Sequence, residues 1–434
     1  MKKPEIDIDA IIQKGSKLAD EVEVFTVTAD DLSVEQRQMK ISNVVESTNT
    51  EIYIRTITNG KIGVSSTSNP DKWEDCLNSA LSTSKISKSI NGWTGLPTKM
   101  SIPSGPEPFD PNITMDPSLA SDIIDKMNTG ATQYPESRVI TASVSLSESQ
   151  SVLSNTNGIW YERKHTGVSL GIDAISDTST GYEYDSSPYL SRINPEKLGK
   201  NACFLAYSSK NGLNIKTEKR DVVLSERVVY SLILQIISDA INGKNALIGR
   251  SVYSKKLGEE ITDTSFSLTD IPMNKNGNSL RKFDSEGTIT QNCNIIDKGV
   301  LTSFLYDCKT AAQANTVSTG HAYLTGTGST DISPHCLCIN GKSTDITQDP
   351  CIYVHEVVGA HTSNPLTGDF SVEVANGYTM ESGKLGQPIK KAMIAGNIFE
   401  ILKQIDGFST DTKTIGNAIV PKMRINNLQV IGNS

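Results

Sequence analysis

Five histidines, His165, His321, His335, His355 and His361, and seven cysteines bound the metal and nucleophile chemistry open to this chain. His355-Glu356-Val357-Val358-Gly359-Ala360-His361 sets two imidazoles beside a carboxylate. A zinc peptidase puts two His on one face of a helix, where an adjacent Glu polarises the metal-bound water. Here the two His stand six residues apart. That is about 600° around a helix at ~100° per residue, so they point in different directions. Asp349-Pro350, Ile352-Tyr353-Val354 and Asn364-Pro365 read as strand and loop rather than helix. On a strand the pair would share a face ~20 Å apart, too far for one ion unless the chain folds back.

Three further motifs lose their chemistry on inspection. His335-Cys336-Leu337-Cys338, with Cys351 and His355, gathers soft ligands, but a zinc knuckle wants two residues between its cysteines. The Leu337/Ile339 alternation predicts a strand with two buried thiols. Asn340-Gly341-Lys342-Ser343-Thr344 ends like a phosphate loop, yet Cys336 stands where the loop's first Gly belongs and Asn340-Gly341 reads as a hairpin turn. Gly167-Val168-Ser169-Leu170-Gly171 has the spacing of a nucleophile elbow. Alternation continues through Ile172-Asp173-Ala174-Ile175, which predicts a plain strand.

The elements that must position any site follow from periodicity. Four isoleucine and leucine positions between 6 and 20 predict a short leading helix. Strand-like runs follow at 22–27, 32–37 and 51–57, and Asn59-Gly60 turns the chain into Lys61-Ile62-Gly63-Val64-Ser65. A helix over 70–88 closes this block. Residues 97–117 hold six prolines and predict a crossing segment. A helix at 117–133, strands over 139–146, 151–154, 159–163 and 167–174, and a helix at 195–211 then repeat the first arrangement. From 221 the chain reads as a strand at 222–224, an amphipathic helix over 226–242 and then mostly strands, among them 299–305 and 420–425, with a short helix at 396–405. The expected fold is α+β: N-terminal α/β meander domain or domains and a larger, mostly antiparallel β C-terminal domain. The boundaries are 1–97, a linker and second α+β segment at 98–220, and 221–434.

Composition sets outer limits. The 434 residues carry a net charge of −8, with 37% apolar and 21% charged residues, which predicts folded domains. An acidic balance argues against a nucleic-acid partner. No run reaches the ~18 apolar residues of a membrane span. Met1-Lys2-Lys3-Pro4-Glu5 has basic residues with no apolar core behind them and reads as no secretory signal. An odd number of cysteines fits reduced thiols in a cytoplasm.

An ordered set of motifs resembles the TldD/PmbA family over nearly the whole chain. They are Phe283-Asp284-Ser285-Glu286-Gly287, the run from Asp297 to Asp307, Ser318-Thr319-Gly320-His321-Ala322, the run from Val358 to Val372, and Ile394-Ala395-Gly396-Asn397. The N-terminal Glu21–Phe25 and Asn59–Gly63 fit the same pattern. The resemblance implies one of two subunit kinds. The TldD kind is similar to a zinc peptidase with H-E-x-x-x-H on a helix and a Cys ligand near the C-terminus. The TldE kind, also called PmbA, shares the fold without those ligands. In a register anchored on Ser251-Val252-Tyr253, Leu234 and Gln235 replace His and Glu, Asp239 replaces the second His, and no Cys follows Cys351. The resemblance therefore implies a non-catalytic TldE/PmbA-type subunit with no cofactor of its own. Zinc is expected in a TldD-like partner, in a heterodimer that degrades peptides and unfolded segments. Alone, such a chain is expected to form a homodimer. The rival readings are a homodimeric peptide-binding or gyrase-modulating protein, and an independent enzyme built on the 335–355 cluster. Polar residues of the family-like motifs, Asp284, Glu286, His321, His361 and Asp369, are the candidates for a substrate groove.

Overall fold

The computed structural model describes residues 6–432; Met1-Lys2-Lys3-Pro4-Glu5, on which the secretory-signal reading rests, lies outside the described residues. Helix α1 (Ile8–Gly15), capped by the Asp7 carboxylate, leads into β1 (Glu21–Arg37), β2 (Lys40–Thr58), β3 (Lys61–Thr67) and α2 (Trp73–Ile86). Asn59 and Gly60 take φ of 51° and 68°, the left-handed pair that a type I′ hairpin needs. Residues 97–116 form no helix or strand. The second block runs α3 (Pro117–Ala131), β4 (Arg138–Asn155), β5 (Trp160–Ser176), β6 (Ser179–Ser187) and α4 (Pro195–Ser208).

The two blocks share one antiparallel sheet, ordered β3-β2-β1-β4-β5-β6. Each block reads helix, three strands, helix, so the repeat expected from sequence is present as architecture. Its closest echo lies in two glycines. A Cβ on Gly63 of β3 would fall 2.0 Å from the Ala80 carbonyl of α2, and one on Gly181 of β6 would fall 2.2 Å from the Ala202 carbonyl of α4. Only a residue without a side chain lets helix and strand backbones approach so closely. The runs read as separate strands at 22–27 and 32–37 are continuous in β1, and those at 139–146 and 151–154 in β4. The polar stretch between them is held extended because Asp30 pairs Glu148 and Asp31 pairs Ser147 across the ladder.

The second sheet begins with β7 (Glu218–Leu224). Helix α5 follows over 226–240: Glu226–Val228 is α-helical, Val229–Leu234 π-helical and Gln235–Ala240 α-helical. Its apolar face, including Val228, Val229, Leu232, Ile233, Ile236 and Ile237, is buried in the largest core. Then come α6 (Gly243–Leu247), β8 (Phe266–Asp270), β9 (Cys293–Asp297), β10 (Val300–Leu301) and α7 (Cys308–Gln313). Strands β11 (Ala322–Leu324), β12 (Thr330–Ile332), β13 (Leu337–Gly341), β14 (Cys351–Val358), β15 (Asp369–Glu381), β16 (Lys384–Ile389) and β17 (Met393–Asn397) precede α8 (Ile398–Ile401). The chain ends on β18 (Ile405–Ile415) and β19 (Ala418–Ile431). Strands β7, β14, β15, β17 and β19 pair in a closed ring, which leaves that part of the sheet without an open edge. Among the named strands of the described residues, only β13–β19 and β7–β14 pair in parallel. The fold is thus α+β with antiparallel-rich sheets.

Three local expectations are corrected. The strand expected at 299–305 shrinks to Val300–Leu301, because the chain then leaves the ladder and Leu305 bridges Asn242. Asn340-Gly341 is no turn but the end of β13; Gly341 is small because the Phe408 ring lies 2.2 Å from where its Cβ would stand. The helix expected over 396–405 is the single turn of α8.

Candidate functional site

The apparent zinc motif comes apart. His355 lies on β14, with its Nε2 3.1 Å from Glu183 Oε1. His361 follows the left-handed Gly359 and is exposed in a single 3-10 turn. Glu356 faces the Arg227 guanidinium at 3.6 Å, and Arg227 in turn meets Glu183 at 2.6 Å and stacks on Tyr184. This charged group ties the first turn of α5 to β6. Burial raises the pKa of Glu356 above the ordinary range, and the opposing pull of Arg227's positive charge does not cancel it. Cys336 and Cys338 are buried, as the alternation predicted, and Cys351 lies in another core beside Tyr353 and Tyr378. Ser169 sits inside β5, paired on both sides, so no elbow lifts it.

His321, expected at a groove, is wholly buried. Its Nε2 lies 2.7 Å from Asp270 Oδ2 and its Nδ1 2.8 Å from Thr319 Oγ1. The His335 ring stacks on it at 4.9 Å between centroids and its Nε2 donates to the Gly320 carbonyl. Asp270 also accepts from the backbone N–H groups of His335 and Cys336. Burial works against its charge, but the His321 hydrogen bond and the two imidazoles outweigh that and lower its pKa. Burial, then the neighbouring His321, pushes His335 down to about 3. Asp270, His321 and His335 bring their donor atoms within 4.8 Å of one another, close enough for an ion. Both His321 ring nitrogens, His335 Nε2 and both Asp270 oxygens are, however, engaged in hydrogen bonds within the protein, which is how a buried polar group is satisfied without metal.

Asp284 and Glu286 are buried too, 1% and 0% exposed, and cannot touch a ligand on the surface. They belong to a charged junction between the two sheets. Arg55 of β2 contacts Glu23 of β1 at 2.7 Å and pairs with Glu286 on its other side. Glu286 Oε2 accepts from the Cys308 N–H at 2.8 Å, at the start of α7. Asp284 accepts from the backbone N–H groups of Glu286, Thr288 and Ala322. One guanidinium therefore stands between two carboxylates, with charge enough to balance only one of them. Burial favours the neutral acid in Glu286, but Arg55 overrides it and keeps that group ionised. For Glu23 burial wins, and its pKa rises to about 7. Burial and the Glu286 charge push Asp284 well above its ordinary value. Of the five groove candidates only His361 and Asp369 are at the surface, and Asp369 accepts from Asn397 and Thr367 at its strand end.

Beside this junction lies a cleft of about 600 Å³, lined by Gly92, residues 94–98 and Met100 on one side and by Gly287–Gln291, Cys308 and Thr316–Ser318 on the other. Its size suits a short extended segment. Burial, then Glu286 and Asp284, pushes the Cys308 pKa well up, which favours the thiol over the nucleophilic thiolate.

A metallopeptidase zinc site needs convergent imidazole, carboxylate or thiolate donors. On α5 the positions in that register do not fit. Leu234 has no donor atom and is buried, whereas Gln235 and Asp239 are exposed. The helix carries a π-helical turn at Val229–Leu234, a distortion that often marks functional helices. The residues that organise the interior, Glu23, Arg55, Glu183, Arg227 and Asp270, escaped sequence reasoning. Their one signal was a charge inside an unbroken apolar strand, as in Val22-Glu23-Val24 and Ile54-Arg55-Thr56.

A two-block N-terminal sheet feeding a partly closed C-terminal sheet is the build of a metallopeptidase-related α+β protein. The descriptions PmbA/TldA metallopeptidase domain 1, central domain and C-terminal domain match residues 22–84, 110–210 and 217–432 in that order. The chain belongs to the PmbA/TldD family. It is 29% identical to an uncharacterized protein of Methanocaldococcus jannaschii, covering 96% of this chain and 98% of that one. It is 24% identical to the metalloprotease PmbA homolog of Haemophilus influenzae, covering 97% and 94%. Its fold superposes on TldE from Thermococcus kodakarensis with a TM-score of 0.88, at 20% identity and covering 98% of this chain and all (100%) of that one. A Thermotoga maritima protein described as a candidate modulator of a DNA gyrase gives 0.87, at 23% identity, covering 97% and 98%.

Proposed function

We propose that this chain is the TldE/PmbA-type, non-catalytic subunit of a two-subunit metallopeptidase acting on peptides and unfolded segments. The observation that carries the reading is α5: in a chain that matches all three family domains, Leu234, Gln235 and Asp239 stand where ligands are expected, and they supply no convergent donor set. Zinc and bond cleavage then belong to a TldD-like partner bearing H-E-x-x-x-H. This chain's part is to hold an extended segment and to complete an enclosure. A folded domain enters such a space only after unfolding, which costs most of its stability. An extended segment offers free backbone groups that strand and loop edges can hold. The cleft beside Gly92–Met100 is the candidate seat, with His361 and Asp369 as surface groups facing a partner or substrate.

The cytoplasmic setting expected from the sequence is part of this proposal; no helix among the described residues is long and apolar enough to cross a membrane. The test is a peptidase assay on an unfolded protein with this chain alone, the H-E-x-x-x-H paralogue of the same source alone, and both mixed. Activity that needs the paralogue and rises on adding this chain supports the proposal. Cleavage by this chain alone refutes it. No effect on the paralogue favours the modulator reading.

A further inference from the structure

Residues 92–100 form no helix or strand, yet side chains around the ends of β1, β4 and β5 fix their course along the 600 Å³ cleft. The Glu21 carboxylate accepts from the Leu96 N–H at 2.6 Å and from the Trp93 indole N–H at 2.9 Å. Asn155 and Asn157 donate to the Pro97 and Leu96 carbonyls. The Tyr161 hydroxyl accepts from the Met100 N–H and donates to its carbonyl. On the opposite wall, the Asp284 carboxylate holds the Thr288 N–H, and Glu286 holds the Cys308 N–H. The walls come together at one end, where a Cβ on Gly92 would fall 2.8 Å from the Ala312 carbonyl oxygen. The cleft is thus preformed, which spares a ligand the cost of ordering it.

None of the lining residues is Asp, Glu, Lys, Arg or His, in a chain of which 21% is charged. A cavity of about 420 Å³ between β6 and β18, by contrast, is lined by Asp185, Arg192 and Lys413. Behind the cleft wall, Glu286 and Asp284 are buried and already accept hydrogen bonds. A charged side chain entering the cleft would shed water and meet no counter-charge on its walls. Main-chain groups, on the other hand, are unspent. Those of Thr94, Gly95 and Thr98 on one wall, and of Gln291 and Val317 on the other, have no hydrogen-bond partner among the described residues. Met100 and Val317 add apolar side chains that are 60% and 78% exposed and gain from being covered.

We propose that this cleft binds an extended peptide segment whose side chains are uncharged, held by its backbone and selected by exclusion of charge. The inference rests on the peptide-holding role proposed above and names the class of segment this chain accepts. Unfolded proteins expose such runs, because uncharged segments are the ones a folded chain buries.

The experiment measures binding of three fluorescent peptides, capped at both termini, to the full chain. One is neutral, built of Val, Thr and Ala; in the other two the central residue is Lys or Glu. The neutral peptide is expected to bind about tenfold or more tightly than either charged one. Thr94 and Val317 are exposed, one on each wall, so Thr94→Glu and Val317→Glu should leave the unfolding temperature unchanged. Each should strengthen binding of the Lys peptide several-fold and weaken that of the Glu peptide, a gain that misfolding cannot produce. Equal binding of the three peptides by the wild type refutes selection by charge. Peptide binding that neither variant alters refutes the cleft as its seat and leaves the subunit role standing. No binding of any peptide overturns the proposal, and turnover by the mixed subunits then tests the subunit role separately.

Discussion

Replacing Arg55 with Met removes the one cation that Glu23 and Glu286 share, in a place where all three residues are at most 5% exposed. In the wild type Glu23 already sits at about 7 against an ordinary 4.5. Its ionised form therefore costs the folded chain about 3 kcal/mol at alkaline pH. A carboxyl whose folded pKa is raised holds its proton longer in the native state. Its contribution to stability is thus greatest below 4.5 and is lost as pH rises toward 7. Without Arg55 both carboxyls are raised, and Glu286 changes sides from lowered to raised. The loss of stability then steepens to about 2.7 kcal/mol per pH unit while two extra protons are held. At pH 8 Arg55→Met should cost about 3–5 kcal/mol; near pH 5 most of that cost should vanish. Urea midpoints of wild type and variant at pH 5, 6.5 and 8, followed by tryptophan fluorescence, read the difference. A cost that is independent of pH, or largest at pH 5, would refute the reasoning, since it would mean that Arg55 does not hold the two carboxylates charged.

The remaining predictions concern other parts of the molecule. His335 is held neutral at about 3, so the unfolded chain binds the extra proton below ~6.5. Stability should fall with acidification at about 1.4 kcal/mol per pH unit, and His335→Gln should flatten that slope in urea titrations from pH 6.5 to 4. Gly63→Ala and Gly181→Ala each drive a methyl group into helix backbone and should cost about 1–3 kcal/mol in unfolding free energy; a neutral result at both would contradict the close strand–helix approach. His361 is exposed, so His361→Ala should leave stability within about 0.5 kcal/mol. If His361 faces the partner or substrate, the variant should lower peptide turnover by the mixed subunits; unchanged turnover removes it from the contact.

What the sequence revealed and what it hid divide along physical lines. Local signals were strong where the backbone decides. Asn59-Gly60 fixed a hairpin, Pro70 opened a helical stretch, and the broad apolar stripe of α5 located the main core. Periodicity also exposed the helix–strand–helix repeat, although only the structure shows that its two copies join through β1 and β4. Site residues were far less legible. Polar residues in family-like motifs invited a groove reading, yet Asp284, Glu286 and His321 are interior groups that satisfy backbone donors and a distant arginine or aspartate. Arg55 and Glu286 are 231 positions apart, and no spacing rule connects such partners. The π-helical turn in α5 was equally invisible, because apolar residues recurring every four positions, as at Val228, Leu232, Ile236 and Ala240, read as an ordinary α-helical face.

The most direct test of the proposed role is bound zinc, counted per chain by elemental analysis of this chain alone, of the paralogue alone and of the purified complex. The account predicts that zinc follows the paralogue: close to one per paralogue chain, one per complex, and only traces with this chain by itself. Stoichiometric zinc in this chain alone, lost on His321→Ala, would contradict it and make Asp270, His321 and His335 a metal centre.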